Sequence, residues 1–116
     1  MSKRSEDNKD LYNSKENLTG NTTDSLKFHY QIHGRVQGVG FRNWLENLSR
    51  KLDFDGFCRN LSDGTVELVV KTPNEKMLSI VEQKLQKGPL AARVDRVEKT
   101  PWNEEIPQGF QILATK

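Results

Sequence analysis

The stretch HGRVQGVGFRNW, residues 33–44, decides how this chain folds. It contains three glycines, two arginines and no acidic residue. Before it, residues 28–33 alternate apolar and polar side chains, which is typical of a half-buried strand. After it, apolar residues recur at helical spacing over residues 42–52. The sequence therefore predicts a strand, a flexible cationic loop and a helix, in that order.

A β-hairpin is predicted next along the chain. Residues 56–61, GFCRNL, are typical of a second strand, and residues 66–70 alternate as a third strand does. Between them, the SDGT of residues 62–65 is a tight-turn signal of the Asp-Gly kind. Because the connection is so short, we expect the two strands to pair antiparallel.

A second helix is predicted after the hairpin. Thr72 can cap it, Pro73 suits the first helical position, and Glu75 completes a capping box. Gly88-Pro89 stops it. The expected apolar stripe of this helix consists of Met77, Ile80, Val81 and Leu85.

Two further strands complete the prediction. Residues 92–100 favour a fourth strand, but Val94 and Val97 break strict alternation, so we expect a β-bulge or a shifted boundary there. Residues 110–112 give a short last strand. The order βαββαβ predicts an α+β, ferredoxin-like sandwich: an antiparallel sheet, two helices on one face and a short extra C-terminal strand.

Composition limits the classes of function. Residues 1–26 are polar and charged and cannot bury a core, so we interpret them as a disordered tail before a single domain, 27–116. The net charge of +2 is too mild to require nucleic acid, and no apolar run predicts a membrane span. Cys58 is the one cysteine, and no secretory signal is visible, so we expect a cytoplasmic protein.

The glycine-rich loop has the composition of a phosphate site. At the start of a helix, backbone N–H groups lack intrahelical partners and the helix dipole is positive. Gly38 and Gly40 can adopt positive φ, and Arg42 offers a planar fork to two phosphate oxygens. The predicted phosphate-binding residues are Val36, Gln37, Gly38, Val39, Gly40, Phe41 and Arg42.

Other glycine-rich loops fit less well. A Walker A loop ends in Gly-Lys-Ser/Thr, whereas residues 40–42 are Gly-Phe-Arg. A dinucleotide fingerprint needs a third glycine where Asn43 stands, and cysteine-dependent phosphatases have their nucleophile where Val36 stands. The loop and the two glycines alone would also suit a surface turn with an exposed arginine.

Two motifs together resemble the acylphosphatase family, small hydrolases of carboxyl-phosphate anhydrides. These are GRVQGVGFR at 34–42 and GFCRNLSDGTVE at 56–67, and the resemblance spans about residues 27–115. It implies a ferredoxin-like fold without metal or cofactor, Arg42 as the phosphate-binding arginine and Asn60 as the residue that orients water. The chain departs from the family pattern at Phe57-Cys58 and at Asp53-Phe54, where Gly-Leu is common. These are packing positions, so we expect the departures to affect stability more than chemistry.

The proposed chemistry needs few groups. An acyl phosphate expels a carboxylate, whose conjugate acid has a pKa of about 4, so no general acid is required. Loop amides and Arg42 can hold the phosphoryl group, and the amide of Asn60 can accept a hydrogen bond from water and donate one to phosphate. The resemblance therefore implies a hydrolase of small acyl phosphates, which we expect to be a monomer. The alternatives are a non-catalytic phosphate-binding module and, more weakly, an RNA binder.

The remaining polar candidates are expected to have structural roles. His29 and His33 alternate with core residues and are predicted to face solvent, with His33 a weak candidate base. Together with Cys58 they lack the spacing of zinc ligands. Arg35 and Arg59 are expected to make structural or rim contacts.

Overall fold

The computed structural model describes residues 25–116, and the structural statements below concern this part of the chain. Neither helix in it is long and apolar enough to cross a bilayer. The predicted tail, 1–26, lies outside the described residues up to position 24, but its last residue, Leu26, is already part of the first strand, so the domain begins one residue earlier than predicted. The elements are β1 (Leu26–Arg35), α1 (Phe41–Leu52), β2 (Asp55–Asn60), β3 (Val66–Thr72), α2 (Glu75–Lys87), β4 (Arg93–Pro101) and β5 (Phe110–Ile112). This order confirms the predicted βαββαβ pattern with an added last strand.

The strands form one sheet in the order β4-β1-β3-β2-β5. The pairs β1–β3, β1–β4 and β2–β3 are antiparallel, as predicted, but β5 pairs parallel to β2. The sheet is therefore mixed. β4 and β5 lie at opposite edges of this sheet. Residues 102–109 therefore cross from one edge to the other before β5 pairs with β2.

The core lies between the sheet and both helices, which confirms that the helices share one face. Every second residue of β1 and β3 points into it, following the alternation in the sequence. Since α1 and α2 contribute to the same buried cluster, their apolar stripes cover a single sheet face. The cluster consists of Tyr30, Ile32, Val36, Phe41, Leu45, Leu48, Phe54, Cys58, Val66, Leu68, Val70, Leu78, Val81 and Leu85.

The predicted start of α2 is wrong by two residues. Thr72 remains in the sheet, paired with Leu26, so neither it nor Pro73 can begin a helix. Asn74 is the N-cap instead, and its side chain accepts hydrogen bonds from two first-turn amides at 2.8 and 3.2 Å. Glu75 becomes the first helical residue, where its charge suits the helix dipole but completes no capping box.

The buried stripe of α2 also differs from the predicted one. Met77 and Ile80 are only half-buried. The three buried residues lie three and four positions apart and fix which face of the helix packs on the sheet. Apolar residues next to this stripe fit helical spacing as well, so the sequence did not distinguish them from the buried ones. The helix ends at Gly88 with φ 69°, as predicted. The buried residues are Leu78, Val81 and Leu85.

The predicted bulge exists in β4. His33 pairs with Arg96 and Gly34 with Val94, so Asp95 has no partner in β1. The extra residue explains why the alternation of β4 breaks. It also raises the local twist where β1 leads into the glycine-rich loop.

Candidate functional site

The loop between β1 and α1 depends on two glycines. Gly38 has φ 73° and Gly40 has φ 78°, as the sequence predicted. A Cβ atom at either position would meet no atom within 4 Å, so the requirement is for backbone conformation and not for space. With both glycines in the left-handed region, the chain turns tightly from the sheet into the helix.

The N-terminus of α1 presents backbone N–H groups that no side chain caps. Gly40 is the N-cap residue and offers no side-chain acceptor. The first intrahelical bond runs from the Trp44 N–H to the Gly40 carbonyl, at 3.0 Å. The N–H groups of the preceding residues therefore lack intrahelical partners and point out of the helix end, where the dipole is positive. Such an end binds anions.

A cleft of about 200 Å³ opens at this helix end. It brings together Arg42, from the first turn of α1, and Asn60, the last residue of β2. None of its lining residues is acidic, so nothing in the lining repels a phosphate. The lining residues are Val36, Gly38, Gly40, Phe41, Arg42, Asn43, Asn60 and Ile112.

Asn60 is held at its place by backbone pairing on both sides. On one side it pairs with Val66 of β3, and on the other its carbonyl accepts the Lys116 N–H at 3.0 Å. The side chains of Asn60 and Arg42 make no hydrogen bond or ion pair to any other residue from 25 to 116. Both polar groups are therefore available to a ligand.

Gln37 and Val39, two predicted phosphate-binding residues, do not line the cleft. The Gln37 side chain donates from Nε2 to the carbonyls of Leu61 and Thr65, both at 2.8 Å. It thereby ties the glycine-rich loop to the hairpin that follows Asn60. The Val39 side chain packs against the core.

Two lining residues escaped the sequence reasoning. Asn43 follows Arg42 in the first turn of α1, and its only signal was its place next to the loop. Ile112 comes from β5 and reaches the cleft through the parallel pairing of Cys58 with Ile112. No local pattern in the sequence announces a pairing between strands so far apart in the chain.

Cys58 lies in the core and not in the cleft. Its side chain is fully buried, and its Sγ lies 3.9 Å from the Arg42 carbonyl oxygen. Burial raises the pKa of the Cys58 thiol to about 12, although the Arg42 guanidinium pulls it the other way. A thiol held neutral is a poor nucleophile, so Cys58 is a packing residue as expected.

The polar residues on the other face of the sheet form an ion cluster, which we define as His29, Arg59 and Glu67. Glu67 accepts from Arg59 Nε at 2.6 Å and pairs with His29 Nε2 at 2.8 Å. Burial raises the pKa of Glu67, but the hydrogen bonds from Arg59 and His29 outweigh burial and leave this pKa below its usual range. The expected structural role of Arg59 is confirmed.

The two histidines lie away from the cleft. His29 stacks on Trp102 with the ring centroids 5.8 Å apart, and His33 pairs with Glu98 at 2.9 Å. Both are partly exposed on the outer face, and neither lines the cleft. His33 therefore does not serve as the base that its closeness in sequence had suggested. Within residues 25–116 no group of three or more His, Cys, Asp or Glu side chains is arranged to hold a metal ion.

Comparison with known proteins agrees with this architecture. A family model described as acylphosphatase matches residues 28–112. An acylphosphatase of Thermococcus kodakarensis is 44% identical over 89 residues, covering 76% of this chain and 96% of that protein. One of Nitratidesulfovibrio vulgaris is 47% identical over 86 residues, covering 72% and 85%. The structure of an acylphosphatase from Coxiella burnetii aligns with a TM-score of 0.71 at 30% identity, covering 77% of this chain and 93% of that one.

The fold and the cleft define a ferredoxin-like α+β protein in which an uncapped helix N-terminus opens into a cleft. The family model spans most of the chain, and both relatives exceed 40% identity over most of their own length. This chain belongs to the acylphosphatase family, and the resemblance noted in its sequence is confirmed.

Proposed function

We propose that this protein hydrolyses acyl phosphates to a carboxylate and inorganic phosphate. The observation that carries the proposal is the cleft itself, which unites an uncapped helix N-terminus, Arg42 and Asn60 in a member of the acylphosphatase family. The helix N-terminus and Arg42 suit phosphate binding, and Asn60 suits orientation of the attacking water.

Phosphate binding would use the loop backbone and one side chain. The N–H groups around Gly38 and Gly40 surround a phosphoryl group, and the Arg42 guanidinium neutralises two of its oxygens. Gln37 would act indirectly, because its hydrogen bonds to the hairpin hold the loop against the strand that carries Asn60. The predicted phosphate-binding loop thus divides into residues that face the phosphate and residues that hold the loop.

Attack would come from a water molecule that Asn60 orients. The Asn60 amide oxygen accepts a hydrogen bond from the water, while its NH₂ group donates to the phosphoryl group. The water oxygen forms a bond to phosphorus, the bond from phosphorus to the acyl oxygen breaks, and the carboxylate leaves opposite the water. The proton that the attacking water loses passes to a phosphoryl oxygen, so the products are a carboxylate and protonated inorganic phosphate. Because that carboxylate is a weak base, it leaves without a proton from the enzyme.

No step of this mechanism requires a metal ion, since Arg42 and the loop amides neutralise the phosphoryl oxygens. The test is hydrolysis of benzoyl phosphate by protein treated with a chelator. We expect the rate to be unchanged after treatment. A large loss that Mg²⁺ or Zn²⁺ specifically restores would refute the mechanism. Binding of inorganic phosphate without hydrolysis of any acyl phosphate would identify a binding module instead.

We further propose that the domain of residues 27–116 suffices for this activity and acts as a monomer in the cytoplasm. Within residues 25–116, Leu90 is the one large apolar side chain that is fully exposed, which leaves little apolar surface for a stable dimer. The buried thiol of Cys58 suits a reducing compartment. Removal of residues 1–25 should leave kcat and KM almost unchanged, and light scattering should report the mass of a single chain.

A further inference from the structure

We call the cleft that contains Arg42 and Asn60, at the N-terminus of α1, the phosphate cleft. A second cleft lies between α1 and α2. Its volume is about 370 Å³, and it is lined by Trp44, Gln83, Lys84, Lys87 and Gly88. We call it the interhelix groove. One wall comes from the first turn of α1 and the other from the last turn of α2. The phosphate chemistry described above uses none of these residues.

The interhelix groove and the phosphate cleft both border the first turn of α1. Asn43 lines the phosphate cleft and Trp44 lines the groove, and adjacent Cα atoms are only about 3.8 Å apart. Phe41 lines the phosphate cleft, and its ring packs edge-on against Trp44 of the groove with centroids 5.3 Å apart. A Cβ atom on Gly88 would lie 2.8 Å from the same ring. A molecule bound by its phosphate at the helix end is therefore within reach of the groove.

The groove combines an aromatic wall with two cations. Lys84 and Lys87 are both exposed, and their ammonium groups make no ion pair with residues 25–116. No acidic residue lines the groove. Lysines in the last turn of a helix also interact favourably with the helix dipole. That interaction does not depend on whether the lysines border a cavity beside Trp44. The lining therefore suits a ligand with a flat or apolar body and a negative charge.

We propose that the interhelix groove binds the acyl part of the substrate and favours acyl groups that carry a second negative charge. This inference rests on the proposed hydrolysis of acyl phosphates. With the phosphoryl group at the N-terminus of α1, the acyl group passes the first turn and lies against the Trp44 ring. Lys84 and Lys87 then pair with an anionic group at its far end. The chemistry recognised is a carboxylate or a phosphate on the acyl group.

The test compares substrates that differ only in that second charge. These are benzoyl phosphate, 4-carboxybenzoyl phosphate and 4-phosphonobenzoyl phosphate. The measured quantity is the kcat/KM of each charged substrate divided by that of benzoyl phosphate. In the double variant Lys84→Gln/Lys87→Gln we expect this ratio to fall about threefold to tenfold, as for the loss of two exposed ion pairs. The loss should lie in KM, since the pairing is equal in ground and transition states.

Lys76→Gln is the matched control, because Lys76 is exposed on the first turn of the same helix, away from the groove. It should keep the wild-type ratio. A larger fall with the phosphono than with the carboxy substrate would identify a phosphate-bearing acyl group, and the reverse a carboxylate. An unchanged ratio in the double variant, with benzoyl phosphate still hydrolysed, would overturn the groove assignment alone. Failure of the wild-type protein to hydrolyse any of the three would overturn the proposed function as well.

Discussion

The phosphate cleft and the ion cluster place similar groups on opposite faces of one sheet. In the cluster, the Arg59 side chain is 21% exposed and bonds Glu67 at 2.6 Å, so its charge is satisfied within the protein. In the cleft, neither the Arg42 guanidinium nor the side-chain amide of Asn60 has such a partner among residues 25–116. Arg59 and Asn60 are neighbours in β2, yet alternation sends them to different faces. A charge that the fold neutralises contributes to stability, and one that it leaves open remains available to a ligand.

The same substitution at the two arginines tests this contrast most strongly. Arg42→Lys keeps the charge but loses the planar fork, so kcat/KM should fall by about 100-fold or more and inhibition by inorganic phosphate should weaken. Arg59→Lys should leave kcat/KM unchanged. Steady-state kinetics with phosphate as inhibitor measure both. If Arg42→Lys binds phosphate as well as the wild type does, the cleft is not the phosphate site.

Asn60→Ala separates binding from catalysis within the cleft. If Asn60 orients the attacking water, it acts in the transition state, so kcat should fall by about 100-fold, or roughly 2.7 kcal/mol. The inhibition constant of inorganic phosphate should change little, in contrast to Arg42→Ala. Circular dichroism would establish that each variant is folded. Near-normal kcat in Asn60→Ala would remove the water-orienting role.

Gln37→Ala cuts the link between the loop and the hairpin. Loss of two hydrogen bonds to partly or fully buried carbonyls should lower the free energy of unfolding by about 1–2 kcal/mol. Because the loop would no longer be held in a fixed position relative to Asn60, kcat/KM should fall about tenfold. Gln31→Ala is the matched control, since Gln31 Nε2 bonds the Thr65 hydroxyl of the same hairpin from the outer face, at 3.1 Å. Equal kinetic losses in both variants would indicate a general effect on the hairpin.

Glu67→Gln should affect stability and its pH dependence. The pKa of Glu67 is lowered in the folded protein, so its ionised form contributes stability that is present at neutral pH and is lost as pH falls through this lowered pKa. Relative to the wild type, Glu67→Gln should lose about 1–2 kcal/mol at pH 7. The difference should shrink towards zero in acid. Urea denaturation across pH measures it, and a constant difference down to pH 3 would contradict the assignment.

Asp53→Gly should produce the smallest change, at the junction between α1 and β2. Asp53 has φ 55° and ψ 55°, and it is the one non-glycine residue from 25 to 116 with positive φ. Its negative charge also lies at the unfavourable end of the helix dipole. Replacement by glycine should raise the free energy of unfolding by about 0.5–1 kcal/mol without altering kcat. Thermal denaturation would reveal it, and destabilisation would show that the aspartate side chain has a role of its own.

Local signals were sufficient for most of the elements. Alternation in 28–33, helical spacing after Phe41 and the Asp-Gly turn each depend on neighbours in the chain, so they can be read directly. The start of α2 could not be read in this way. Thr72 and Asn74 are both good caps, and only the pairing of Thr72 with Leu26, 46 residues earlier, excludes the first. When two nearby residues are both good helix caps, long-range contacts decide which of them caps the helix.

By itself, the sequence predicted the fold class and the glycine-rich loop. Its resemblance to the acylphosphatase family added the family and the expectation that Arg42 and Asn60 are site residues. The fold class and the loop depend on residue types at short, regular spacings. The tertiary structure alone decided which polar side chains are bonded within the protein and which face the cleft. It paired Arg59 with Glu67, turned Gln37 towards the hairpin and brought Ile112 beside the cleft. The physical reason is that hydrogen bonding and burial depend on which segments meet, and distant segments meet only once the sheet has formed.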